Sequence, residues 1–310
     1  MSDLNNSTVN IATHTLGGNV LNNKKESSFE KFIFDYVGLI PFFIFSIIFI
    51  FLPTGAVVLY AFIGNDGEFT FQNIQVAFGD VYIVSLLGSL QLGFVSAITG
   101  SIAGILFAYG VVISGKKRLQ RVVSTASGVF ANTGGVPLAF FFVAAVGNYG
   151  LITLALFNIG IDIYSGSFTL FGFSGLVLVY LYFQIPLMII VIYPAIEGMR
   201  NEWREAAVNL GATKWNFWRY IGVPVLLPAA TGAFLLLFAN AFAAYATANV
   251  LTSGTLPLIP IQIGTLVAGN VVADQTNVGY AMGLEMILVV GVAMAGYVIL
   301  DRRVSRWKKK

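Results

Sequence analysis

The chain has 310 residues, of which 57% are hydrophobic and 10% charged, with a formal net charge of +3. So few charges cannot cover a soluble protein of this length, so most of its exterior must meet lipid. With no cysteine, a disulfide framework and a thiolate metal site are both excluded, and the one histidine, His14, sits in a polar tail without convergent partners.

In chain order, residues 1–36 form a tail rich in Asn, Ser and Thr that lacks a basic start leading into an apolar core, so it does not read as a cleaved signal peptide. Its end, "SSFEKFIFDY", spaces Ser27 and Glu30 as a capping box and puts Phe29, Phe32, Ile33 and Tyr36 on one helical face. A short helix along the cytoplasmic interface is expected there, though an ordinary juxtamembrane segment fits the same residues. Long uncharged runs follow, each exceeding the roughly 20 residues that cross a bilayer as helix. They do not alternate in short segments as barrel strands would.

All 17 Lys and Arg residues fall in four clusters, at 24–31, 116–121, 200–219 and 302–310. Basic excess marks cytoplasmic loops, so each interval between clusters holds an even number of spans, and its length admits two. The expected fold is therefore an all-α integral membrane protein with six transmembrane helices and both termini cytoplasmic. The crossings are placed near 37–62, 84–112, 123–146, 173–196, 223–250 and 279–300, within a membrane domain at 37–300 that is followed by a basic tail at 301–310. Outer segments 63–83, 147–172 and 251–278 carry Asp66, Glu68, Asp80, Asp162 and Asp274 and no base. That mouth would attract cations, although the asymmetry is also the orientation signal itself.

Polar residues inside the spans are candidates for a translocation path, because they avoid lipid. Glu285 is the one ionisable side chain placed within a crossing, and Asn240, Tyr245, Thr247 and Asn249 on the fifth crossing join Asn132 and Thr133 on the third. Hydrogen bonding between helices explains each of the uncharged ones equally well. "ANTGGVP" at 131–137 predicts either an interrupted helix with freed carbonyls or a packing kink.

Between the fourth and fifth crossings lies the amphipathic stretch "EAAVNLGATKWNFWRY", residues 205–220, within a cytoplasmic loop at 198–222. Trp203, Ala206, Ala207 and Leu210 recur at helical spacing, and Gly211 stands where a helix ends at positive φ. Thr213 is then the expected N-cap of a second short helix bearing Trp215, Phe217, Trp218 and Tyr220 and running to Pro224. Two helices hinged at a glycine make a knob suited to a partner's groove, or an interfacial pair anchored by its rings.

"EAAVNLGATKWNFWRYIGVPVLLPA" resembles the EAA loop of permease subunits of ABC importers, through Glu205, Ala206, Ala207, Gly211, Ile221, Pro224 and Pro228. The resemblance implies a type I importer permease fold in which this loop, with Leu210 and Ala212, docks on an ATP-binding subunit. It implies that Glu205 makes a polar contact there and that Gly211 sets the bend. "FSGLVLVYLYFQIPLMIIVIYPAIEGMRNEWREAA" is similar to the spermidine/putrescine permease group, whose relatives serve opines, phosphonates, thiamine and ferric iron. A polyamine or related cationic or zwitterionic cargo is the resulting expectation.

The chain lacks a Gly-x-x-x-x-Gly-Lys-Ser/Thr loop, a metal cluster and a nucleophile–base constellation, so it is not read as an enzyme. No cofactor is expected in it. The resemblance implies ATP and Mg held by ATPase subunits, a second permease that is a copy or paralogue, an external solute-binding protein and surrounding membrane lipid. No nucleic acid partner is expected, and the expected location is a bacterial inner membrane. A self-sufficient secondary transporter or channel would need charges of its own in the membrane, and a structural scaffold would leave the knob unexplained.

Overall fold

The computed structural model describes residues 39–268 and 275–307. The expected interfacial helix at Ser27–Tyr36, His14 and Asp274 lie outside the described residues. Among those described, the regular secondary structure is helical apart from one isolated antiparallel bridge between Ile63 and Phe69. Six segments are long and apolar enough to cross a membrane: Ile40–Tyr60, Val81–Ile113, Gly135–Asn158, Phe173–Glu197, Lys214–Phe242 and Thr276–Leu300.

The residues divide into two units, Met1–Ala56 and Val57–Lys310. Helix α1 (Ile40–Tyr60), which belongs to the first unit as far as Ala56, begins with Pro41 in its first turn, where the missing N–H has no helical acceptor to lose. Its side chains include exposed Phe42, Phe49 and Phe51, as suits a helix facing hydrocarbon. A π turn at Ile47–Phe51 stands just before Pro53, whose ring cannot follow a regular turn without striking the carbonyl one turn back.

The second unit contains α2 (Gln72–Ala77), α3 (Asp80–Ile113), α4 (Lys117–Ala131), α5 (Gly135–Val146), α6 (Leu151–Asn158), α7 (Phe173–Glu197) and α8 (Asn201–Asn209). It continues through α9 (Lys214–Phe217), a π turn at Trp218–Gly222, α10 (Val223–Phe242), α11 (Ala246–Thr252), α12 (Ile259–Val267) and α13 (Thr276–Trp307). Helix α3 packs along α7 and α10, α4 along α7, and α10 along α13. Small residues allow the approach: a Cβ at Gly104 would lie 2.5 Å from the Met188 Cβ, and one at Gly100 would lie 2.9 Å from the Gln184 Cβ. Across that seam Gln184 donates from Nε2 to Ser96 Oγ at 2.9 Å, and Ser96 Oγ donates to the Leu92 carbonyl at 2.7 Å.

Several boundaries differ from expectation, among them the end of the third apolar segment, which lies at Asn158 and not near 146. The third apolar segment starts at Gly135, not near 123, because α4 carries Lys117, Arg118, Arg121, Ser124, Thr125 and Ser127 and is amphipathic. The fifth crossing does not run unbroken to 250: α10 ends at Phe242 and α11 starts at Ala246. The helix beginning at Lys214 does not stop at Pro224 either, since the π turn widens the backbone ahead of that proline and the chain continues into α10.

Orientation is open to a direct measurement, since the native chain has no cysteine to interfere. Asp66, Lys117, Asp162 and Arg302 are all exposed. A membrane-impermeant thiol reagent outside intact cells, with any outer membrane permeabilised, is expected to label single cysteines at 66 and 162 and to spare those at 117 and 302. The reverse pattern would invert the topology.

Candidate functional site

The loop between the fourth and fifth spans folds as a knob. Helix α8 ends in a Schellman motif: the Ala212 N–H donates to the Ala207 carbonyl at 2.9 Å, and the Gly211 N–H to that of Val208, also at 2.9 Å. Gly211 adopts φ +77°, the left-handed region that a side chain resists, with open space where a Cβ would point. Thr213 then caps α9, its Oγ1 accepting from the Asn216 N–H at 3.2 Å.

Of the apolar positions on α8, Ala207 alone is buried, while Ala206 and Trp203 are exposed and Leu210 is 86% exposed. Glu205 is exposed and, with Arg204, Val208 and Asn209, borders a shallow recess on the helix. The rings of the second helix divide: Trp215 and Tyr220 are exposed, and Phe217 and Trp218 are half-buried.

A second polar constellation forms where two helix breaks meet. The first break, Asn132–Gly134, separates α4 from α5, and Gly135 takes φ +74° to restart the helix. The second, Ala243–Tyr245, separates α10 from α11. Thr247 Oγ1 donates to the Gly135 carbonyl at 3.1 Å, and fully buried Tyr180 of α7 donates from Oη to the Ala244 carbonyl, also at 3.1 Å. Such interruptions are stable at membrane depth only against protein or water, because freed backbone groups need partners.

Around this node the expected path residues have different surroundings. Asn132 and Asn240 are exposed, Tyr245 is 44% exposed, Asn249 is half-buried and Thr247 is buried. Asn132 Nδ2 and Thr133 Oγ1 donate back to the Gly128 and Val129 carbonyls at 2.8 Å each, closing the last turn of α4. Glu285 on α13 is 4% exposed, and both of its carboxylate oxygens are buried without a hydrogen-bond partner among the described residues. It therefore does not border an open channel in this state. Among the described residues no group of acidic or histidine side chains could hold a metal ion.

The sequence reading missed Tyr180, Gln184 and Ser96. Gln184 offered a signal, as an amide in an otherwise apolar span, whereas Tyr180 resembled any aromatic on a buried face.

Residues 100–306 match the family model described as the binding-protein-dependent transport system inner membrane component. Over 209 residues the chain is 24% identical to a probable sulfate transport system permease protein of Nephroselmis olivacea, covering 66% of this chain and 68% of that one. Over 122 residues it is 25% identical to the spermidine/putrescine transport system permease protein PotC of Escherichia coli K12, covering 39% of this chain and 46% of that one. A chain from the crystal structure of a bacterial ABC transporter involved in the import of the acidic polysaccharide alginate shares the fold. That match has a TM-score of 0.67 at 20% identity and covers 90% of this chain and 99% of the other. Because the family model spans more than half of its length, this chain belongs to the inner membrane components of binding-protein-dependent transport systems, and it is a multi-pass membrane protein.

Proposed function

We propose that the chain is the membrane-spanning permease subunit of an ATP-driven importer for a small cationic or zwitterionic solute such as a polyamine. The observation that carries the coupling role is the knob at 201–217, a rigid turn that presents Glu205, Leu210 and exposed rings outside the packed body. Glu205, Ala206, Leu210, Gly211 and Ala212 form its contact with a separate ATPase subunit, which binds the ATP and Mg, and buried Ala207 backs them. A second permease subunit completes the bundle, and an external solute-binding protein delivers cargo to the outer face. Closure of the ATPase pair moves the knob, and partners with different affinities for the inward-open and outward-open states shift the bundle between them.

The cargo reading rests on charge. The described outer segments carry Asp66, Glu68 and Asp162 and no basic residue, and the helix breaks contribute neutral amide, hydroxyl and carbonyl groups. The sulfate permease relative favours a second reading, an oxyanion carried past those neutral donors. Vesicles holding the assembled transporter and its binding protein, assayed for ATP-dependent uptake of labelled spermidine and labelled sulfate, test both readings. Spermidine uptake that sulfate does not compete supports the first, and uptake of sulfate alone replaces it with the second.

Glu285 carries the sharper expectation. A carboxylate buried without a partner in a span is costly, and a cationic group that reaches it as the bundle opens would offset that cost. Glu285→Gln keeps the shape and removes the charge, so uptake at limiting spermidine is expected to fall about tenfold, the equivalent of roughly one charge-assisted hydrogen bond. Unchanged uptake by a stably assembled variant assigns Glu285 to packing.

A further inference from the structure

The knob joins the membrane body through the π turn Trp218–Gly222, and one side chain there touches several elements at once. The Trp218 ring meets Tyr109 of α3 edge-on, with centroids 4.9 Å apart and planes at 82°. It also meets Phe217 at 6.0 Å and 82°. It packs against the apolar core that joins Ala108 of α3, Ile192 and Ile196 of α7 and Leu226 of α10. Gly222 is the seat for the ring, since a Cβ there would run into the six-membered part of the indole. The ring stands at the first residue of the π turn, and such bulges recur at functional positions.

We propose that Trp218 is the strut through which displacement of the cytoplasmic knob reaches α3, with Tyr109 as its receiving surface and Gly222 as its seat. This rests on the reading of 201–217 as the ATPase-docking knob. The geometry suits the role. A short rigid helix precedes the ring, a wide indole resists compression, and Tyr109 stands four residues before the end of a 34-residue helix that packs along both α7 and α10. Packed side chains transmit a displacement because a dense interior does not absorb it. Trp218 is thus a positioning residue. It lies outside the docking surface and the translocation path, so its loss should separate ATP hydrolysis from transport while leaving the ATPase subunit bound.

The test uses the complete transporter in vesicles, with two readouts: solute moved per ATP hydrolysed, and affinity for the ATPase subunit. Trp218→Ala and Tyr109→Leu are each expected to lower the transport ratio about fivefold, with ATPase-subunit affinity within about twofold of wild type. The double variant should be no worse than either single one, because both remove the same contact. Trp218→Phe, which keeps a ring against Tyr109, should recover most of the ratio, and Gly222→Ala, which unseats the indole, should lower it. An unchanged ratio in Tyr109→Leu, or losses that multiply in the double variant, overturns the strut and makes Trp218 an anchor at the interface. Should Trp218→Ala fail to assemble, Tyr109→Leu and Gly222→Ala decide on the same criterion. Failure of the wild-type chain to bind any ATPase subunit removes the docking reading instead, and so is a distinguishable result.

Discussion

Replacing Gly211 by valine is expected to abolish coupled transport while leaving the protein in the membrane. The residue sits at φ +77°, where a β-branched side chain costs about 1–3 kcal/mol, and the two hydrogen bonds that end α8 depend on that conformation. Space is not the obstacle, since nothing stands within 4 Å of a Cβ at this position. The strain is conformational, and it is relieved by turning α8 away from α9. Glu205→Ala provides the comparison, because it removes a side chain without disturbing the turn. If the carboxylate is desolvated against the ATPase subunit, its loss costs roughly 2 kcal/mol or more, about thirtyfold in Kd. Both variants should still reach the membrane and recruit the binding protein, because neither alters a span or the outer face. Transport and substrate-stimulated ATP hydrolysis should fall together, with weaker ATPase-subunit binding. Wild-type coupling in both variants, measured in reconstituted vesicles, would remove the docking role from the knob.

That turn was legible in the sequence because its cause is local. A glycine after the last periodic residue and a threonine two positions later each have one strong backbone preference, and the fold adopts both. The six spans were legible for a similar reason, since apolar length and the spacing of basic clusters are properties of short windows. The glycines of "ANTGGVP" signalled either an interruption or a kink, and the fold takes the interruption.

What escaped the reading depends on distant residues or on competition between local rules. Proline at 224 argued for a helix end, yet the π turn absorbs the misfit and burial of α10 against α3 and α13 keeps the helix going. The third span was set too early because α4 mixes apolar and polar residues at helical spacing, which a hydropathy run does not distinguish from a crossing. Nothing in a linear pattern shows that Thr247 reaches the Gly135 carbonyl, 112 residues away, or that Tyr180 reaches Ala244. Asn132, Tyr245 and Asn249 were chosen as path candidates one at a time, and the fold puts Asn132 and Tyr245 in the two breaks and Asn249 in the first turn of α11. Glu285 was identified by its charge alone, and its burial depends on packing of α13 that no window contains.

Gly100 and Gly104 stand four residues apart on α3 where it meets α7, and they support a prediction of comparable size. A methyl group added at Gly104 would lie 2.5 Å from the Met188 Cβ, 2.7 Å from its Cγ and 3.1 Å from the Ile185 carbonyl oxygen. Met188 is fully buried, and a backbone carbonyl cannot swing aside as a side-chain tip can, so α3 and α7 must separate. Overpacking of this kind costs about 1–3 kcal/mol, and the seam includes the Gln184 to Ser96 hydrogen bond that the separation would stretch. Gly110 on the same helix is the control, because a Cβ there meets nothing within 4 Å, and alanine in a helix interior is favoured over glycine by up to about 1 kcal/mol. Gly104→Ala is therefore expected to lower the apparent melting temperature of the detergent-solubilised chain, read by loss of the monodisperse elution peak after heating. Gly110→Ala should leave it unchanged or raise it. A melting temperature in Gly104→Ala equal to wild type would mean that α3 and α7 are not held at the separation seen here, and the account of this seam as closely packed would fail.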